Sequence, residues 1–325
     1  MPDLSGYADW RSIELAIKEA AKKAARQAGP GVSAATVDTQ IRQARFDRFL
    51  SRVFADGDQS EWLLKGGMSM LARVPRSRTT KDMDLAAQHA EDLTEAERSL
   101  SALVAVDLGD HLIFRLIRTE PTGLGDNQPG VATRRLIYAC LDINSDRHVD
   151  TMTVDVVIDP APVGRPEVVE PANRLHLRRE LVTHPYRLYP VTDQIADKVC
   201  ATIDANYPGG KRSSRVKDLV DLVVLAHTQS VDLSELRRAI EAKRITSGIE
   251  PFEHFEIPTD WTRTYLATAK GVTIAESFNA TTAAQVVAAL IDPALTSESN
   301  MATWNPKKLA WDTDMYGHGA APAWG

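Results

Sequence analysis

Apolar positions along the chain change period twice. From about Asp9 to Gln27, Ile13, Leu15, Ala16, Ala20, Ala21 and Ala24 recur at mixed helical spacing, and Gly29-Pro30-Gly31 ends the run. A second helix is expected from about Ala35 to Phe54, on Val37, Ile41, Phe46, Phe49, Leu50 and Val53. The period then shortens. Trp62–Lys65 reads as a strand ending at Gly66-Gly67, and Asp84–Ala87 as another, reached through the basic loop Val74–Lys81. A helix over about Thr94–Val106 is followed by three expected strands at Leu112–Ile117, Leu136–Ile143 and Thr151–Ile158. After about Pro190 the strand signal stops. Helices are expected at Val191–Ala205, Val216–Thr228, Leu233–Ala242, Trp261–Ala269 and Thr282–Leu290, with a loose Gly/Ala/Pro-rich tail from Tyr316. The predicted fold class is α+β, a mixed sheet with flanking helices in residues 1–190 followed by a helical region in residues 191–325.

Composition narrows this only a little. A chain of 325 residues with 43% hydrophobic and 25% charged residues can bury a full core, which excludes disordered and fibrous architectures. Cys140 and Cys200 lie in apolar stretches without a second ligand at metal spacing, so both read as reduced core residues. No stretch approaches the ~18 apolar residues of a membrane span. The N-terminus lacks a basic leader segment, so a cytoplasmic protein without a membrane partner is expected. A net charge of −6 argues against general coating of nucleic acid. It leaves room for local basic clusters, of which Arg73, Arg76, Arg78 and Lys81, and Lys211, Arg212, Arg215 and Lys217, flank the motifs below.

The chemistry starts at Asp82-Met83-Asp84. Side chains two apart on a strand share a face, so Asp82 and Asp84 point one way while Met83 and Leu85 enter the core. Two parallel carboxylates repel unless a cation lies between them, and Mg²⁺ takes such oxygen ligands, as Mn²⁺ can. A bare Asp-X-Asp is as readily an ordinary acidic strand end. Its setting shifts the balance, because Gly66-Gly67 closes a strand and opens a short helix containing Ser69. Glycines there let backbone N–H groups approach a phosphate at a helix N-terminus. In Thr151–Ile158 the apolar face is Met152, Val154, Val156 and Ile158, and Asp155 stands opposite. Asp155 is preferred over Asp142, Asp150 and Asp159 as a third metal carboxylate in a two-metal site, because it lies in mid-strand.

These motifs resemble the DNA polymerase β-like nucleotidyltransferase superfamily, although the interval from Gly67 to Asp82 is slightly long for that pattern. More narrowly they resemble the AbiEii/AbiGii toxin family, which includes the mycobacterial MenT-type toxins. The resemblance rests on Lys65-Gly66-Gly67, Arg78 to Leu85, Ile195-Ala196-Asp197-Lys198, and Arg215 to Leu222, in the family's order. It spans roughly Trp62 to Ala226 and implies a nucleotidyltransferase-like sheet, with the helical half completing the cleft. On the sequence alone Lys198 lies off the apolar stripe of its helix and reads as a solvated lysine, whose truncation costs little stability. The resemblance instead makes Lys198, with Arg78, a counter-charge to the phosphates of an NTP. Asp221 stands in an apolar helix and needs a partner. Arg215–Asp218 or Lys217–Asp221 pairing is one account, and a functional role for Asp218 toward Lys198 or the nucleotide is the other.

Taken together, the resemblance implies an enzyme that moves a nucleoside monophosphate from an NTP to a hydroxyl, with Mg²⁺ on Asp82, Asp84 and Asp155. The implied acceptor is the 3′ end of tRNA, reached through the basic loop, with an antitoxin as partner. A transferase acting on a protein or a small molecule is the alternative within the enzyme class. A non-catalytic nucleotide-binding module and a purely structural protein lie outside it.

Overall fold

The structure, a computed structural model, describes residues 6–27, 34–75, 77–122, 133–159, 161–204, 215–297 and 301–313. Two compact units divide the chain, one formed chiefly by residues up to Tyr189 and the other chiefly from Pro190 onward.

The first unit is built on a seven-stranded mixed sheet. Its strands are β1 (Trp62–Lys65), β2 (Met83–Ala87), β3 (Leu112–Thr122), β4 (Thr133–Asp142), β5 (Arg147–Ile158), β6 (Glu167–Val169) and β7 (Tyr186–Leu188). Their spatial order is β3-β4-β5-β2-β1-β7-β6. The β2–β5 and β1–β7 pairs are parallel and the others antiparallel. Helices α1 (Trp10–Gln27), α2 (Ala34–Val53), α3 (Gly66–Arg73) and α4 (Leu93–Val104) accompany it.

Strand alternation sorts this sheet into two unlike faces. Met83, Leu85, Leu136, Tyr138, Met152, Val154 and Val156 join Ile13, Phe46, Phe49, Leu50 and Leu100 of the helices in one core cluster. The opposite face has only a small apolar patch, Leu63, Ala86 and Tyr189 with Val157 beside them. Polar side chains on the strands therefore collect on that second face.

A buried ion triad fastens α2 to the turn before β3. Asp110 accepts from Arg48 Nε at 2.7 Å and from Arg52 Nη2 at 2.7 Å, and all three side chains are almost wholly inaccessible. Arg52 also donates to the carbonyls of Val106 and Leu112. Burial alone would raise the Asp110 carboxyl, but the two guanidinium groups outweigh it and hold it at about 2. The hydrophobic pattern gave no sign of this triad, because Arg48 and Arg52 read as the polar side of a helix.

The second unit holds α5 (Val191–Ile203), α6 (Val216–Thr228), α7 (Leu233–Thr246), α8 (Thr262–Ala269) and α9 (Ala280–Thr296). Helix α6 is buried along almost its whole length, as its continuous apolar run requires. The expectation that strands end at Pro190 is corrected by a hairpin, β8 (Ala302–Asn305) with β9 (Ala310–Thr313). Its Trp304 is fully buried and donates its indole N–H to the Ala226 carbonyl at 2.7 Å. Strands β6 and β7 have three residues each, too few for a two-residue period to declare itself. Cys140 and Cys200 are buried free thiols, pushed up to about 12 chiefly by that burial. The expected loose tail lies outside the described residues.

Removing the triad's anion leaves Arg52 without a carboxylate and Arg48 with only Asp47, at 3.8 Å. Asp110→Ala should therefore lower stability by about 3–5 kcal/mol in urea unfolding. The carboxyl is depressed in the folded state, so its stabilisation is present above the ordinary range near pH 4. It should fade as pH drops from about 4 toward 2, and Asp110→Ala should lack that part of the acid slope.

Candidate active site

On the second face of the sheet one row of register partners is charged from end to end. Glu120 on β3 stands opposite Arg135 on β4, and Arg135 opposite Asp155 on β5. Asp155 lies beside Asp84 on β2, and Asp84 opposite Lys65 on β1. The next row along is Leu63, Ala86 and Val157, the apolar patch. Asp82 directly precedes β2, two residues before Asp84. Sequence spacing placed Asp82, Asp84 and Asp155 opposite the apolar faces of their strands, and the parallel β2–β5 pairing sets Asp84 next to Asp155.

Arg135 donates from Nε to Asp155 Oδ1 and from Nη2 to Asp155 Oδ2, each at 2.8 Å. The bonds to Asp155 hold the Arg135 guanidinium above its ordinary pKa, and the charges of Asp82 and Glu120 act in the same direction. Lys65 reaches Asp159 at 3.1 Å and lies over the Tyr189 ring. Asp82 and Asp84 are both half-buried, and carboxylate oxygens of this kind suit a hard divalent cation. Among the described residues no three Asp, Glu, His or Cys side chains converge as a metal cluster.

The two glycines serve this geometry in different ways. Gly66 has φ +60°, and a Cβ placed on it would lie 1.9 Å from Asp84 Oδ2. The backbone at the start of α3 is thus pressed against the Asp84 carboxylate, an approach open only to glycine. Gly67 leaves room for Thr80 of the loop leading to β2, whose Cβ would stand 2.8 Å from an added Cβ. Lys65 is the N-cap of α3 and makes no side-chain capping bond, so the positive end of the helix dipole lies at Gly66 beside Asp84.

Other expected site residues fall differently. Ser69 is fully buried on α3, with no surface left toward a ligand in this arrangement. Arg78 is half-buried and donates to the Thr79 carbonyl. Arg73, expected in an RNA-contacting loop, is corrected to a structural residue. Its side chain is 3% exposed, and its guanidinium bonds Glu167 and the Tyr189 carbonyl at 2.7 Å each. The call on Arg76 lies outside the described residues. Lys81 is exposed immediately before Asp82.

Lys198, Asp218 and Asp221 form their own cluster in the second unit. Lys198 Nζ donates to Asp218 Oδ1 at 3.0 Å and to Asp221 Oδ2 at 2.7 Å. Arg215 Nε reaches Asp218 Oδ2 at 2.5 Å. Lys198 is 7% exposed, so the reading of a solvated lysine that is cheap to truncate is corrected. It is off the apolar stripe but faces the neighbouring helix α6. Burial opposes its charge, yet the two carboxylates outweigh that and hold its pKa above the ordinary value. Asp218 is likewise held at about 2 against the effect of burial by Lys198 and Arg215.

The AbiEii profile, described as a nucleotidyl transferase toxin of a type IV toxin–antitoxin system, matches residues 48–295. The chain belongs to the AbiEii family. It is accordingly a nucleotidyltransferase of a toxin family, which implies an NTP substrate and an antitoxin. No curated protein sequence matches this AbiEii chain. Among solved structures it is similar to MenT4, a nucleotidyltransferase toxin from Mycobacterium tuberculosis, at 13% identity and TM-score 0.45. That match covers 85% of this chain and 93% of MenT4. It is also similar to JHP933 from Helicobacter pylori, at 15% identity and TM-score 0.41, covering 78% of this chain and 93% of that one. Among the described residues no helix is long and apolar enough to cross a membrane.

Arg135 is the residue of this AbiEii site that reading along the chain missed. The pair Arg134-Arg135 before an apolar run looks like a solvated strand end, and only the β4–β5 register brings Arg135 to Asp155. Two substitutions check the geometry. Gly66→Ala should cost roughly 1–3 kcal/mol in thermal or urea unfolding through its positive φ, and should abolish transfer by displacing Asp84. Lys198→Ala should destabilise by about 3–5 kcal/mol, as expected when a buried ion cluster loses its central cation. A loss below about 0.5 kcal/mol, the scale of a surface change, would show that the cluster is not formed in solution.

Proposed function

We propose that the chain transfers a nucleoside monophosphate from an NTP to the 3′ end of tRNA and so blocks translation when its antitoxin is absent. The nucleotidyltransferase domain is taken as residues 1–190, with a helical domain over 191–325. The observation that carries the reaction site is the meeting of Asp84, Asp155 and the start of α3 at Gly66.

In this reading the triphosphate lies at the N-terminus of α3, where the helix dipole favours anionic oxygens. Gly66 and Gly67 allow the phosphates to approach the backbone, and Arg78 supplies a counter-charge from the loop before β2. Asp82 and Asp84 would hold Mg²⁺ or Mn²⁺, with Asp155 completing the carboxylate set. When bound, the ion neutralises charge developing on the transferring phosphoryl group and the leaving pyrophosphate. The acceptor hydroxyl forms the new bond to the α-phosphorus while the bond to pyrophosphate breaks. The apolar patch of Leu63, Ala86 and Val157 limits water on one side of the row.

Lys198 and Asp218 enter by family resemblance, Lys198 as a counter-charge to the nucleotide phosphates and Asp218 as the group that orients it. The bond at 3.0 Å between them supports the second role. The RNA acceptor is supported by the toxin family and by the exposed cation at Lys81. An intracellular site of action follows from a tRNA acceptor.

The expected outcome is direct. Incubation with each α-³²P-labelled NTP, Mg²⁺ and total cell RNA should label a tRNA-sized, ribonuclease-sensitive band, and prior oxidation of the RNA 3′ ends should abolish it. Label in protein instead would move the acceptor to a side chain, and label in neither would exclude both macromolecular acceptors. Asp82→Asn and Asp84→Asn should each reduce labelling by at least about 100-fold, the scale of losing one strong transition-state contact. The far-UV circular dichroism spectrum should be unchanged, because both side chains are half-buried and outside the apolar core cluster.

A further inference from the structure

The connection between β6 and β7 runs from Glu170 to Pro185 without a helix or strand. It exceeds the roughly 12–15 residues beyond which a structureless loop in a compact unit is uncommon and usually functional. The loop is tied down near both ends. The Ala172 amide donates to the Ala72 carbonyl at 2.8 Å, and Arg174 Nε donates to Asp47 of α2 at 3.0 Å. Arg48 Nη2, also on α2, donates to the Val182 carbonyl at 2.6 Å. Between these ties Leu175, Leu177 and Leu181 stay only half-buried. They line a cavity of about 200 Å³, together with Ile17 of α1, Ala44 of α2 and Met68 of α3.

The polar part of the lining sets one donor and one acceptor side by side. Arg48 donates through Nε to Asp110 and through Nη2 to Val182, and its Nη1 is buried without a hydrogen bond. Asp47 uses Oδ1 for Arg174 and Tyr186, while its Oδ2 stands 3.8 Å from Arg48 Nη1, beyond hydrogen-bond reach. A buried N–H without an acceptor is costly, so a ligand that supplies one is favoured. Both arginines of the lining already face carboxylates, Arg48 at Asp110 and Arg174 at Asp47 and Glu170. Glu180 adds an exposed negative charge. Such a lining rewards hydrogen bonds and disfavours an anion.

We infer that this cavity binds a small neutral ring compound with a carbonyl beside an N–H, the edge shared by pyrimidine bases and cyclic amides. The carbonyl accepts from Arg48 Nη1, the N–H donates to Asp47 Oδ2, and the ring lies against Ile17, Met68 and the loop leucines. A cavity of about 150 Å³ takes benzene, so a single six-membered ring is the size that fits. The site is separate from the charged row, because Ile17, Met68 and the three leucines belong to the core cluster on the helix-bearing face of the sheet. Met68 still lies in the opening turn of α3, close behind Gly66, so it contacts the ligand from the helix that meets Asp84.

The test uses the full chain with ¹³C-labelled methionine methyl groups, the Met68 signal being identified by its loss in Met68→Leu. Uracil and 2-piperidone distinguish an aromatic base from a saturated amide, and tighter binding of either one assigns the source. Uracil should shift the Met68 methyl saturably. In 1,3-dimethyluracil the N–H is gone, and binding should be at least about 10-fold weaker. Ala44→Leu fills the cavity and should abolish the uracil shift with the circular dichroism spectrum unchanged. Leu177→Trp fills it from the loop and serves if Ala44→Leu does not fold. Mg²⁺ with α,β-methylene NTPs should leave bound uracil in place.

No saturable Met68 shift with either compound up to about 10 mM would leave the cavity to water and overturn the inference. Equal binding of 1,3-dimethyluracil, or of benzene, would overturn the hydrogen-bonded ligand class. Displacement by an NTP analogue would put uracil in the reaction site, and binding that survives in a folded cavity-filled variant would put it elsewhere. Either result removes the site proposed here. If neither filled variant folds, the dimethyluracil and NTP comparisons decide.

Discussion

Asp84 and Asp155 are held side by side by the parallel pairing of β2 and β5, against their mutual repulsion. The pairing is stable because the opposite faces of the same strands bury Met83, Leu85, Val154 and Val156 completely or almost so. A one-residue slip of either strand would send its carboxylate into the core and its apolar side chains out. Hydrophobic burial on one face thus sets the electrostatics of the other. The remaining members of the row, Arg135 and Lys65, are placed by the same register, and Gly66 is placed by its contact with Asp84.

The buried ion clusters belong to the same economy of backbone placement. Arg48, Arg52 and Asp110 secure α2 to the turn that launches β3, the far end of the sheet from β1. Lys198, Asp218, Asp221 and Arg215 join α5 to α6 in the second unit. In both cases every charged side chain has an ion-pair partner, as buried ions require, although the first cluster sets two cations on one anion and leaves Arg48 Nη1 without a hydrogen bond. Clusters of this kind lend geometric uniqueness at some expense in stability relative to apolar packing. For Lys198 that means a single side chain serves the fold while the family resemblance also assigns it to the nucleotide.

Much of the architecture was legible in local pattern. Helices α1, α2, α4 and α5 to α9 and strands β1 to β5 lie where their apolar periods placed them, although β3 runs on past Ile117 to Thr122 and α9 past Leu290 to Thr296. Strand β7 has three residues and the hairpin strands β8 and β9 four each, and they were not legible because pairing rather than period defines them. Arg73 read as one of a basic loop's solvated cations, yet its guanidinium is buried between Glu167 and the Tyr189 carbonyl, both about a hundred residues away in sequence. Local charge density cannot tell a solvated arginine from one that closes a distant hydrogen bond.

What the sequence determined by itself is whatever depends on neighbours along the chain. Alternation put Asp84 and Asp155 opposite the apolar faces of their strands, and the Lys65-Gly66-Gly67 motif marked a strand-to-helix turn. The order of four motifs pointed to the family that the profile match then established. The tertiary structure decided everything that depends on which strands and helices become neighbours. It set Asp84 against Asp155, turned Asp155 to Arg135, and closed Lys198 onto Asp218 and Asp221. Those contacts join residues between 20 and 71 positions apart, a separation that no local periodicity spans.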